Sequence, residues 1–278
     1  MNQDLQDKTI LITGANTGIG RATAVALAAR GARLFLLGRS EERHREVLTD
    51  VAALGPPATW LPLDLGSLAS VRQCAQRFLA LDQPIHVLLN NAGLAGNPGV
   101  TDDGFERTFG VNHLGPFLLT ELLLECIKQS APSRIVNVAS MAHYKATGVD
   151  WEAVRQPTRT ITGLPEYQVS KLCNVLHAKE LAMRLDGSGV VTSSLHPGVI
   201  ASDVWRGVPW GVRHVMRWFM KSNEEGAATS IHCATAEEAG KESGLYWDEC
   251  KVKWPSRVAQ EPERAVELRE RSLALVQE

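Results

Sequence analysis

Tyr167 and Lys171 stand four residues apart in the stretch Tyr167-Gln168-Val169-Ser170-Lys171, inside a segment, 167–185, whose periodicity predicts a strong helix. Residues at i and i+4 share one helix face, so the phenol and the ammonium point the same way. A free phenol titrates near ~10. A neighbouring ammonium favours the phenolate and lowers that value, and a bound cationic ring would lower it further. A tyrosine in this setting can give or take a proton near neutral pH. The same YxxxK spacing arises by chance in many helices, so the reading needs a fold that carries a reacting group to the pair.

A second constellation supplies that context. Thr13-Gly14-Ala15-Asn16-Thr17-Gly18-Ile19-Gly20 follows a short apolar run and opens a helical segment. Glycines let a backbone turn sharply and approach a pyrophosphate closely. The following helix adds free N–H groups and a positive dipole end. The stretch therefore reads as a dinucleotide-phosphate turn, with a purely structural turn as the alternative. After the second strand comes Leu37-Gly38-Arg39-Ser40, where a fold preferring NAD usually has a carboxylate for the ribose 2′-hydroxyl. Arg39 can instead pair with a 2′-phosphate, and Ser40 adds a hydroxyl. This predicts NADP(H) in preference to NAD(H), against the alternative that Arg39 is a solvated surface arginine.

The elements that must position these groups follow from periodicity. Continuous apolar runs at 9–13, 34–37, 59–63, 85–89, 134–138 and 190–195 read as strands, with a short strand at 244–247. Helical patterns fall at 21–30, 41–53, about 67–81, 103–129, 167–185, 208–220, 224–236 and 261–276. Gly31 ends the first helix and Ser67 is an N-cap for the third. Pro116 must kink or divide the long fourth helix. No repeat or linker splits the 278 residues. Right-handed crossovers then predict a single α/β domain. It is a Rossmann-type, doubly wound parallel sheet of about seven strands with helices on both faces. Ligands in such sheets sit at the carboxyl ends of the strands, where both constellations fall.

The spacing of the glycine turn is GxxxGxG, and here the sequence resembles the short-chain dehydrogenase/reductase family, over nearly the whole chain. The resemblance implies further site residues. Ser140, ending Val138-Ala139-Ser140, sits where the family has its catalytic serine and would polarise a substrate carbonyl. Asn112, in Gly110-Val111-Asn112-His113, matches the asparagine that disturbs the fourth helix and holds a water near the lysine. Its neighbour His113 reads as packing or surface. Asp64-Leu65 resembles the adenine-binding pair, with a turn aspartate as the alternative. Asn90-Asn91-Ala92-Gly93 is similar to the NNAG motif, of which Asn90 and Gly93 would line the cofactor wall along with Asn91 and Ala92. Pro197-Gly198-Val199-Ile200-Ala201-Ser202 resembles the PG motif, with Ser202 where threonine is usual; Pro197, Gly198, Ile200 and Ser202 would contact the nicotinamide carboxamide. Gly14, Asn16, Thr17, Gly18, Ile19 and Gly20 would cradle the pyrophosphate. The implied reaction moves hydride between nicotinamide and a carbonyl or alcohol carbon. Tyr167 acts as acid/base, Lys171 orients the ribose and links to a relay through Asn112, and Ser140 fixes the carbonyl. The family often pairs through its fourth and fifth helices, which implies a homodimer or homotetramer.

Composition narrows the class. A net charge of −2 gives no electrostatic reason to expect nucleic acid. Five scattered cysteines without a CxxC pair argue against a disulfide framework or metal site and fit a reducing cytoplasm. Neither a signal peptide nor a transmembrane anchor is expected. The connection between Ser140 and Tyr167 is long for the family and, with Ser170–Leu176 and Gly244–Trp247, resembles its retinol dehydrogenase-like branch. The segment 204–220 is rich in Trp and Met, with Arg206, Arg213, His214 and Arg217 among them. Three readings of it stay open: a lid (about 203–221) over a bulky apolar substrate, an ordinary core helix, or a helix making weak peripheral membrane contact. At the level of function, a retinal-like, steroid-like or other lipophilic carbonyl or alcohol substrate competes with a dinucleotide-binding sensor or scaffold without turnover.

Overall fold

The computed structural model describes residues 3–198 and 222–277. The expectations for Ile200, Ser202, the helix at 208–220 and the lid at 203–221 lie outside the described residues.

β1 (Thr9–Thr13) is buried along its whole length, as its unbroken apolar run requires of a strand covered on both faces. It pairs in parallel with β2 (Arg33–Gly38) on one side and β4 (Val87–Asn90) on the other. β3 (Thr59–Pro62) extends the first edge. β5 (Ser133–Val138), β6 (Val190–His196), β7 (Leu245–Asp248) and β8 (Lys251–Lys253) extend the second. The order is β3-β2-β1-β4-β5-β6-β7-β8, so the chain reverses direction across the sheet between β1 and β4. Eight strands replace the expected seven. β8 is the addition, a three-residue Lys-Val-Lys run hairpinned antiparallel onto β7 and exposed throughout. It has no apolar periodicity to announce it.

Side chains alternate across the sheet and feed two cores. Leu11, Phe35, Leu37, Leu88 and Ile135 face α3 (Leu68–Leu79), α5 (Gly115–Gln129) and α6 (Leu164–Arg184). Ile10, Ile12, Leu34, Leu36 and Val136 face α1 (Gly18–Ala28), α2 (Glu41–Ala52) and α7 (Asn223–Thr235). Each such side chain, withdrawn from water, contributes roughly 1.5–3 kcal/mol. Ser67 caps α3 by accepting from the Ser70 N–H, as its position predicted.

Register decides where the loops emerge. Thr13 aligns with Leu37, Asn90 with Asn137, and Val138 with Leu195. Gly14, Arg39, Asn91, Ser140 and Pro197 consequently leave the sheet along one edge.

The fourth helical segment divides differently from the expectation. A single turn, α4 (Arg107–Phe109), passes into a π-helical turn over 110–114, closed by the Gly115 N–H on the Gly110 carbonyl. Pro116 then sits harmlessly in the first turn of α5. The break is centred on Asn112, not on the proline. At the C-terminus, α8 (Arg257–Gln260) leads into α9 (Pro262–Gln277). α9 lies against α6, where Arg269 pairs with Glu180 at 3.4 Å, and Ser272 meets His113 at 2.9 Å. His113 is a buried packing residue.

Candidate active site

Along the carboxyl edge of the strands runs a cleft of about 1450 Å³. Gly14, Asn16, Thr17, Gly18, Ile19 and Gly20 line its floor beside Asn91, Ala92 and Gly93. Gly14 has φ +67, and a Cβ there would stand 2.9 Å from that of Ala92, so two loops touch where only glycine fits. Asn91 locks the crossing: its side-chain amide donates to the Thr13 and Gly14 carbonyls at 2.8 and 3.2 Å. Asn90 does not line the wall. Its carboxamide turns into the core and donates to Asn137 at 2.9 Å and Thr120 at 3.1 Å, because alternation along a strand sends Asn90 and Asn91 opposite ways.

At the end of β2, Arg39 is exposed on the cleft rim and makes no ion pair with any described residue. Glu46 on the same rim is held by Arg21 at 3.1 Å. The Ser40 hydroxyl is the N-cap of α2, accepting from the Arg43 N–H at 3.3 Å, and the residue is not among those that line the cleft. Asp64 and Leu65 do line the cleft, with Asp64 Oδ1 also accepting from the Gly66 N–H at 2.9 Å. At the far end Pro197 and Gly198 complete the lining.

The reactive groups converge from three elements. α6 presents Tyr167, Ser170, Lys171 and Asn174 on one buried face. Lys171 Nζ lies 5.7 Å from the Tyr167 ring centre and donates to the Val138 carbonyl at 2.8 Å; the Asn174 amide shares that carbonyl at 3.2 Å. Ser140, just beyond β5, lines the cleft together with Tyr167, and its Oγ accepts from the Ala142 N–H at 3.1 Å. Asn112, delivered by the π turn, donates to the Leu94 carbonyl at 2.9 Å and to Ser170 Oγ at 3.0 Å, and accepts from the Leu94 N–H at 2.9 Å. Lys171 and Asn112 face one another across Gly93, whose Cβ would come within 3.3 Å of Nζ and 3.4 Å of Oδ1. The gap between amine and amide is kept open by the missing side chain.

Burial sets the protonation states. It pushes the Tyr167 phenol above its ordinary range, with the Ser140 hydroxyl opposing. Lys171 is not among the groups that shift it, so the expected lowering by the ammonium is not found. The lysine itself is 4% exposed, and loss of water brings it down to about 8. At neutral pH the site thus holds a protonated phenol beside a mostly protonated amine.

Three lining residues had no motif to announce them: Leu94, Met141 and His196. Their one common signal is position, directly at or after a strand's carboxyl end. Among the described residues no cluster of His, Cys, Asp or Glu could hold a metal ion, all five cysteines are unpaired, and no described helix is long and apolar enough to cross a membrane.

The open glycine turn and the long cleft beside it have the shape a dinucleotide needs. Comparison with known proteins agrees. A family model for short chain dehydrogenase matches residues 8–211. Mouse retinol dehydrogenase 12 is 41% identical over 275 residues, covering 96% of this chain and 85% of the relative. Human retinol dehydrogenase 11 is 44% identical over 267 residues, covering 92% and 81%. Among solved structures, an uncharacterised Mycobacterium paratuberculosis protein superposes with a TM-score of 0.80 at 29% identity, covering 98% of this chain and 94% of its own. The Pseudomonas aeruginosa RhlG/NADP complex gives 0.70 at 25%, covering 89% and 97%. With a nicotinamide-dinucleotide fold and a tyrosine, lysine and serine gathered at its cleft, the chain belongs to the short-chain dehydrogenase/reductase family, on its retinol dehydrogenase-like branch, and is an oxidoreductase of CH–OH and C=O groups.

Proposed function

We propose that the protein is an NADP(H)-dependent reductase/dehydrogenase of lipophilic aldehydes, ketones or alcohols, retinal and retinol among them, with Tyr167, Lys171, Ser140 and Asn112 as its catalytic machinery. The observation that carries the reading is the convergence of Tyr167, Ser140 and Lys171 on one cleft wall, with Lys171 Nζ 5.7 Å from the phenol's ring centre. When bound, the reduced nicotinamide supplies a hydride to the carbonyl carbon. Tyr167 donates its proton to the carbonyl oxygen, and the resulting phenolate is stabilised by the Lys171 ammonium. Ser140 Oγ donates a hydrogen bond to the same oxygen as negative charge develops on it. Asn112 ties the Leu94 backbone to Ser170, and the Val138 carbonyl holds the Lys171 amine at 2.8 Å. Burial keeps the phenol protonated at neutral pH, so the ligand-free protein is poised in the proton-donating state.

Arg39 supports NADP(H): an exposed, unpaired guanidinium on the rim can take a 2′-phosphate through charge-assisted hydrogen bonds. Gly14 to Gly20, Asp64, Leu65, Asn91, Ala92, Gly93, Pro197 and Gly198 hold the remainder of the dinucleotide. The apolar substrate class is supported by Leu94, Ala95, Val138, Met141 and Leu164 around the Tyr167 end of the cleft, and by the retinol dehydrogenases among the relatives. We place the protein in the cytoplasm, in keeping with five unpaired thiols.

The test is Tyr167→Phe with NADPH and all-trans-retinal or nonanal. NADPH affinity should stay within about twofold while kcat falls at least ~10²-fold, the value of a positioned acid. Near-wild-type turnover refutes the assignment. Tight NADPH binding by the wild type with no turnover over a broad aldehyde and ketone panel would instead favour a redox sensor.

A further inference from the structure

The segment after Ser140 carries an imidazole that the proposed reaction does not yet use. His143 is fully buried, with its ring centre 4.1 Å from that of Tyr144 and 4.8 Å from that of Tyr246. Its Nδ1 lies 2.7 Å from the Ser140 carbonyl oxygen, and its Nε2 lies 3.1 Å from the Ser256 backbone nitrogen. A carbonyl only accepts, so Nδ1 must carry the hydrogen. A backbone N–H only donates, so Nε2 must offer its lone pair. Two main-chain partners therefore select one tautomer of the neutral ring. Adding a proton would set an Nε2–H against the Ser256 N–H.

The same carbonyl also accepts from the His143 N–H at 3.1 Å, while Ser140 Oγ takes the Ala142 N–H. The serine is thus held from its backbone and its side chain at once. The other end of the imidazole reaches Ser256, the N-cap of α8, whose hydroxyl accepts from the Ala259 N–H at 3.4 Å. One ring ties the end of β5 to the chain beyond β8.

We propose that His143 is a positioning residue for the reaction: its neutral Nδ1–H imidazole clamps the Ser140 backbone and so keeps the serine hydroxyl beside the Tyr167 phenol. The inference rests on the reading of Ser140 given above. The titratable groups around the ring are Tyr144 on its own turn, Tyr246 and Asp248 on β7, His196 at the end of β6 and Tyr167 on α6. Burial lowers the imidazole's pKa, with a smaller push from His196, and both neighbouring phenols are raised, so none of the tyrosines competes with it in the acid range. Protonation would keep the Nδ1–H on the Ser140 carbonyl but set Nε2–H against the Ser256 N–H, so on acidification the ring loses its anchor at α8 and with it the fixed hold on Ser140.

The experiment compares His143→Phe, His143→Asn and Ser140→Ala with wild type, using NADPH and nonanal from pH 5 to 8. Phenylalanine fills the site but holds nothing, so kcat should fall at least about tenfold, since slight misplacement of a group at the reacting atoms costs up to ~10²-fold. NADPH affinity and the KM for nonanal should stay within about threefold, because the loss falls on the transition state. Asparagine returns a donor near the Nδ1 position and should recover most of kcat. It does not titrate, so the acid limb expected of wild type, displaced below the ordinary imidazole range by burial, should be missing from it. The proposal is overturned if His143→Phe keeps kcat within about twofold while Ser140→Ala loses ~10²-fold, a result that leaves the reading of Ser140 intact. If Ser140→Ala is itself near wild type, the parent reading fails as well. Should the phenylalanine variant not fold, the asparagine profile decides: an unchanged acid limb removes His143 from the account.

Discussion

Replacing Lys171 by methionine is expected to abolish turnover and, in the ligand-free protein, to raise the melting temperature. The ammonium is 4% exposed and its pKa is drawn down from 10.5 to about 8. That difference corresponds to roughly 3 kcal/mol by which the fold disfavours the charged amine at pH 7. Methionine is of similar length and carries no charge. It forfeits the hydrogen bond to the Val138 carbonyl, worth about 1 kcal/mol, but the carbonyl keeps the Asn174 amide at 3.2 Å and is not orphaned. The balance favours the variant by about 2 kcal/mol, or ~5 °C for a chain of this size. The sign with pH follows from linkage. The unfolded lysine holds its proton to about 10.5 and the folded one sheds it at about 8, so between these values the unfolded state binds more protons. Wild-type stability gains from this group as pH rises through that window, and below pH 8 the deficit is constant. Thermal unfolding by circular dichroism at pH 7 and pH 10, without cofactor, measures both effects. The gap should be near its full size at pH 7 and mostly closed at pH 10. A variant that melts at or below wild type at pH 7, or a gap indifferent to pH, refutes the reasoning.

Arg39→Ala should raise the KM for NADPH at least about tenfold and leave that for NADH within twofold, since a charge-assisted phosphate contact is worth about 1.5–3 kcal/mol; steady-state kinetics with both cofactors decide, and equal losses contradict the 2′-phosphate role. Asn112→Ala removes the bonds to the Leu94 backbone and to Ser170, a loss of about 3 kcal/mol. Urea denaturation should show it as a lower midpoint at constant slope, and an unchanged midpoint would deny Asn112 its structural part. α9 covers part of α6 and its Ser272 reaches the π turn before α5, which leaves less of these helices free for a second copy. Light scattering is expected to return the monomer mass of 30.3 kDa, and a dimer mass would show that another surface assembles the protein.

Local chemistry was sufficient for much of this. The unbroken apolar runs determined a parallel sheet covered on both faces, since a strand reading Thr-Ile-Leu-Ile-Thr has no side to leave in water. The glycine turn and the Tyr167/Lys171 spacing placed a dinucleotide cleft and a proton-transfer pair at strand ends, because short-range geometry alone fixes where such side chains point. Other features depend on contacts distant in sequence. Ser40 reads as a phosphate ligand in the chain, and only the fold shows its hydroxyl capping the start of α2. Asn90 and Asn91 are identical residues whose opposite destinations follow from the pleat at the end of β4. Local chemistry put the break in the fourth helix at Pro116, while the family resemblance put a disturbance at Asn112; the bonds from Asn112 to the Leu94 backbone and Ser170 hold the π turn where the break falls. The protonation of Tyr167 likewise reversed the pairwise expectation, because desolvation is a sum over everything packed around a group and no spacing in the chain encodes it. His143 owes its tautomer to a partner 113 residues away, and only the closed fold brings that N–H to it.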